Sequence, residues 1–182
     1  MSSRFHRWVP VLAGGGLAAS LLATVVQAHH SFASYDMNRT QVFTGVVTRV
    51  NPDANHLQIF FAPMNEERKN VERDKDNKPI IWAVDMAGSA AAAQEGISVN
   101  AFPQGTVFSV ALHPQRSGEP AGFREGPLFK CPSRADGKGI PPAAGKHCDS
   151  VEGNTRFGNG ELAKPGISAT PATPPASAAP AK

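Results

Sequence analysis

Two adjacent histidines sit where chain processing would expose them. His29 and His30 follow directly on Val26-Gln27-Ala28, which places small residues three and one positions before a cut after Ala28. Upstream, Arg4 and Arg7 precede an uncharged apolar run over 9–26. A basic start, an apolar stretch and this spacing predict a secretory signal over 1–28. Cleavage makes His29 the N-terminal residue. Its free α-amine and ring Nδ1 can then close a chelate ring on one metal ion. Further imidazoles complete a planar nitrogen set, which suits Cu(II). His30 offers the adjacent imidazole, and His56, at the start of a predicted strand, is the third candidate metal ligand. The competing reading is plainer: two polar histidines at a flexible terminus, and a third that merely begins a strand.

The other reactive side chains point elsewhere. Cys131 and Cys148 are both downstream of the signal, and an even pair in an oxidising compartment predicts a disulfide. Closing that segment stabilises the fold by about 3 kcal/mol through loop entropy. His147, beside Cys148, hints at zinc only if the thiol is free. His113 precedes Pro114 and reads as a surface or turn residue. Asp85, at the end of an apolar strand, reads as a cap or as an acid with a raised pKa. There is no GxSxG elbow, HExxH helix, P-loop or strand-associated GxGxxG. Catalysis therefore ranks last among the readings.

The elements that would position these groups are mostly strands. Segment 40–50 is rich in β-branched residues, with Val42, Val46 and Val50 on one face and Gly45 at a bulge or bend. Turn formers fill 51–55, and 56–62 alternates with Leu57, Ile59 and Phe61 on one side. Segment 64–78 is almost wholly charged or amidic and reads as a solvated hairpin extension. Strand character returns over 80–86, 106–113 and 126–131, with 114–122 read as a turn. Segment 87–94 is the one helix former after the signal. Residues 163–182, rich in Pro, Ala, Ser and Thr, read as an extended or disordered tail.

The expected organisation is a signal peptide over 1–28, a lead-in over 29–39, a β domain over 40–162 containing the Cys131–Cys148 loop, and the tail. Five short strands with one helix between the third and fourth predict a mostly β fold, a small OB-like, partly open barrel. A two-sheet sandwich is the rival. The 182-residue chain carries a formal charge of +3, which loses the two arginines when 1–28 is removed. No basic stripe remains, so nucleic-acid binding is excluded. No second long apolar segment follows, so no membrane span is expected after cleavage.

At His29-His30-Ser31-Phe32 the chain resembles an uncharacterised family of small exported bacterial proteins, in which the same block follows the signal. The resemblance continues through Thr44-Gly45-Val46-Val47, Asn51-Pro52 and Trp82-Ala83-Val84. It extends to Phe102-Pro103-Gln104-Gly105-Thr106-Val107, Pro114-Gln115-Arg116-Ser117-Gly118 and Ala135-Asp136-Gly137-Lys138. It implies a secreted small β domain and lends no function. Here Asp53-Ala54-Asn55 separates Pro52 from His56, where the family usually runs Asn-Pro-His, so no family role transfers to His56. The terminus alone is similar to the histidine brace of exported copper proteins. The expectation is a periplasmic or secreted β module that binds a small ligand or an envelope protein, with copper as the candidate cofactor at its N-terminus. The alternative is an interaction or structural module without metal, docking through an exposed edge or the 64–78 loop.

Overall fold

The computed structural model describes residues 32–53 and 55–167. The signal segment, His29, His30 and residues 168–182 of the expected tail lie outside them. Five strands make the body: β1 (Arg39–Pro52), β2 (Leu57–Pro63), β3 (Trp82–Asp85), β4 (Val107–Pro114) and β5 (Ala121–Lys130). One short helix, α1 (Ser89–Gln94), lies between β3 and β4, as the alanine run predicts. β1 pairs antiparallel with both β2 and β4, β2 with β3, and β4 with β5. A parallel pairing of β3 with β5 completes the circuit, so the OB-like barrel is closed.

β1 can serve two partners because it bends. Residues 41–46 face β4 and 45–52 face β2. The ladder slips between Val47 and Arg49, and Thr48 at the slip donates its hydroxyl to the Phe60 carbonyl at 3.0 Å. Gly45 marks the change of partner: a Cβ there would overlap the Phe61 ring. The slip moves side chains to the other face, as a bulge does. Val50 therefore packs with the barrel core while Val46 packs outside it, against the expectation of one shared face.

The barrel interior holds Ile59, Phe61, Val84, Phe108, Val110 and Leu128, among others. Phe61 and Phe102 both meet Phe108 edge-on, at 5.3 and 5.8 Å between centroids. A second, smaller cluster lies outside the barrel wall and contains Met64, Val107, Phe129 and the Cys131–Cys148 disulfide. That cluster covers the outer face at the start of β4 and the lead-in covers its end, so every residue of β4 is buried.

β5 begins earlier than the sequence suggests. Ala121 and Gly122 fall in the segment read as a turn and the strand was expected only from 126, yet 121–125 form half of β5 because Ala121, Gly122 and Phe123 pair with Ala83, Val84 and Asp85. Gly122 is required there, since a Cβ would strike the Leu112 side chain and lie 2.6 Å from the His113 carbonyl oxygen. Two further short strands, β6 (Thr155–Phe157) and β7 (Gly166–Ile167), pair with β5 and with the start of β1. The first residues of the expected tail are thus laid against Arg39 and Thr40. Among the described residues no helix is long and apolar enough to cross a membrane.

Candidate functional site

The turn from β1 to β2 opens onto a polar cleft of roughly 290 Å³. Asn51, Asp53, Asn55, His56, Gln58 and Asp85 line it. Asn51 and Gln58 are cross-strand partners, and Gln58 in turn pairs with Asp85 of β3. The register therefore gathers an amide, a second amide and a carboxylate in one row on the outer face of the barrel. Asp53 Oδ1 accepts from the Asn55 amide at 2.8 Å, which shapes the turn that carries His56.

Asp85 is the centre of this row. Its Oδ1 accepts from Gln58 Nε2 at 2.6 Å, and its Oδ2 accepts from the Tyr35 hydroxyl at 2.6 Å. Tyr35 is only 4 % exposed. Burial, then the bond to Asp85 and the charge of that carboxylate, push the phenol above its ordinary pKa. The hydroxyl therefore stays protonated and acts only as a donor here. The sequence reading of Asp85 as a strand cap meeting a backbone amide is corrected: its partners are two side chains.

The bond from Tyr35 fastens the lead-in to the barrel, and it does not act alone. Phe32 packs edge-on against Phe123 at 5.0 Å, and Tyr35 lies 5.7 Å from the same ring. Phe123 is the register partner of Asp85 across the parallel pairing. Arg116 donates its amide to the Ser34 carbonyl at 2.9 Å and its Nε to the Tyr35 carbonyl at 3.1 Å. The Asp36 amide donates to the Pro114 carbonyl at 2.8 Å. The segment that directly follows His29-His30-Ser31 is thus held at the cleft end of β3 and β5.

His113 is not a surface residue, as its place before Pro114 suggested. It is 5 % exposed because the lead-in and the start of β1 cover the end of β4. Its Nδ1 lies 3.1 Å from the Arg39 carbonyl, and its Nε2 is 3.8 Å from Glu125, which also accepts from the Thr40 hydroxyl at 2.7 Å.

His147 belongs to a third polar group, under the disulfide. Its Nδ1 is hydrogen-bonded to the Thr44 hydroxyl at 2.8 Å, Thr44 to Ser109 at 2.7 Å, and the Cys148 amide donates to Ser109 Oγ at 2.8 Å. A hydroxyl beside an imidazole is the arrangement of an activated nucleophile, but Thr44 is 1 % exposed, so no substrate reaches it. The group instead satisfies polar atoms where the disulfide segment crosses the barrel. The pairing of Cys131 with Cys148 also removes the zinc reading of His147. Burial, and next the Arg68 charge, hold the His147 imidazole below its ordinary pKa, with Asp149 opposing.

The charged loop over 64–78 is built rather than merely solvated. Arg68, at φ 57°, donates Nη1 to the carbonyls of Met64 and Asn65, both at 3.1 Å, and Nε to the Lys146 carbonyl at 3.0 Å. That ties the loop to the disulfide segment.

Among the described residues no three or more His, Cys, Asp or Glu side chains are grouped to hold a metal ion. His56 is in the cleft; its two candidate partners, His29 and His30, lie outside the described residues. Sequence reasoning missed the Tyr35–Asp85–Gln58 row. Its one local signal was an acid ending an apolar strand; its partners are 50 and 27 residues away.

Residues 18–124, more than half of the chain, match a family of unknown function (DUF6152). No curated protein matches the chain, and neither does any solved structure.

Proposed function

This chain belongs to DUF6152, a family that lends it no activity, and we propose that it is an exported binding module holding copper at the hairpin end of its barrel. The metal set is the α-amine and imidazole of His29, the imidazole of His30 and that of His56. One observation carries the reading: the lead-in is fastened to the end of the barrel whose cleft contains His56. Phe32 rests on Phe123, and Tyr35 is bonded to Asp85, a wall of that cleft. His30 is two residues before Phe32, a reach of at most roughly 7 Å. A lead-in fastened at this end supports a site shared by the two histidines that precede it and His56.

The surroundings favour a cation. Asp53 and Asp85 line the cleft, and carboxylates nearby lower the energy of a bound positive ion. Gln58 and Tyr35 fix the orientation of Asp85, the role that outer hydrogen bonds play around metal sites. Export is supported by the Cys131–Cys148 disulfide, which fits an extracellular or periplasmic protein. Among the described residues the cleft holds amides, carboxylates and an imidazole, a set suited to binding.

The test is a copper titration of the secreted protein that begins at His29, beside a version with one extra residue ahead of it. The added residue turns the α-amine into an amide and removes the chelate ring. Tight one-to-one binding by the first protein, weakened on the order of 100-fold in the second, is the expected result. Equal affinity in both would contradict the N-terminal site.

A further inference from the structure

A second depression lies at the other end of the β1–β2 ladder and has a different lining. Val46, Met64 and Val107 make its floor, Gln104, Gly105, Gly139 and Pro141 its sides, and Arg134 and Lys138 its border. Its volume, roughly 570 Å³, falls in the range of small-molecule pockets. The floor is the top of the cluster that the Cys131–Cys148 disulfide pins to the barrel, so it is preformed.

The two cations are placed by a tight hairpin. Ser133 and Gly139 form a bridge, the Arg134 amide donates to the Lys138 carbonyl at 2.8 Å, and the Gly137 amide donates to the Arg134 carbonyl at 2.9 Å. Gly137 has φ 79°, the left-handed conformation the turn needs. Arg134 and Lys138 are therefore opposite each other, a like-charge pairing that costs energy unless an anion is shared. Asp136 in the same turn spends one carboxylate oxygen on the Lys138 amide, at 3.0 Å. Neither cation is in an ion pair, the pairs among the described residues being His113–Glu125 and Arg124–Glu95. The hairpin packs closely on the barrel: a Cβ on Gly139 would overlap Val107, and the Gly139 amide donates to the Gly105 carbonyl at 3.1 Å.

We propose that this depression binds an aliphatic carboxylate, with the chain along Val46, Met64 and Val107 and the carboxylate between Arg134 and Lys138. An apolar floor beside two cations that are in no ion pair selects that chemistry: the chain alone lacks the charge contacts, and the charge alone lacks the buried area.

The test uses the full exported protein with its methionine methyls labelled for magnetic resonance. Decanoate is titrated below its micelle concentration, with decanol, acetate and decyltrimethylammonium as controls. Saturable decanoate binding that moves the Met64 methyl and leaves Met86, inside the barrel core, in place is expected. Decanol and acetate should bind at least about tenfold more weakly. Arg134→Ala with Lys138→Ala changes only exposed side chains, so the fold should persist and decanoate affinity should drop by a similar factor. Absence of saturable binding, an unmoved Met64, equal binding of the cationic amphiphile, or full affinity in the double variant would each overturn the proposal.

Discussion

Between Asn51 and Val46, five residues and roughly 16 Å along one strand, the surface of this barrel changes from polar to apolar. At the hairpin end, amides, carboxylates and an imidazole face the cleft, and side-chain hydrogen bonds from the distant Tyr35 and from Gln58 of β2 meet on Asp85. At the other end, aliphatic side chains form the floor, cations form the rim, and a covalent cross-link holds the parts together. The same strands support both ends because the slip at Thr48 redirects β1 between them. The two ends are therefore fixed independently, so perturbing one should spare the other.

The largest expected effect comes from the covalent end. Cys131→Ser with Cys148→Ser should lower unfolding free energy by about 3 kcal/mol, read by urea denaturation. Copper affinity at the hairpin end should hold; a parallel loss would merge the two ends into one unit. Asp85→Ala comes next. It strips the acceptor from both Tyr35 and Gln58, and should cost about 2 kcal/mol and about tenfold in copper affinity, with decanoate binding unmoved. Tyr35→Phe removes one bond of the same row. About 1 kcal/mol should be lost, and the Asp36 amide should exchange faster with solvent.

The smallest effect is a pH slope at the covalent end. His147 titrates lower in the folded chain than its ordinary 6.5, through burial and Arg68. Its contribution is therefore complete above about pH 6.5 and is lost as pH falls through that value toward the folded pKa. Asp149, which raises the pKa, limits the slope. His147→Gln should flatten stability against pH across this window, and an unchanged slope would assign it to other groups.

The strand alternation of Leu57, Ile59 and Phe61 and of Val84 and Met86 was legible in the sequence, because each period faces one core. So was the Cys131–Cys148 pair. The first half of β5 was not: Ala121 and Gly122 read as the end of a turn until the parallel strand that needs a glycine is in place. His113 looked exposed because the segment that buries it comes from residues 34–39, far away in the chain. The Tyr35–Asp85 bond failed for the same reason, since no local period relates two residues 50 apart. His56 was legible as a candidate only by its type; its setting in the cleft depends on the register of β1 with β2 and of β2 with β3.

The proposed copper site joins the lead-in to the barrel, and electron paramagnetic resonance of the protein beginning at His29 tests that junction. One equivalent of Cu(II) should give a nitrogen-rich signal that collapses in His29→Ala and loses one nitrogen donor in His56→Ala. A spectrum indifferent to His56→Ala would contradict the shared site, because the terminus would then bind metal without the barrel.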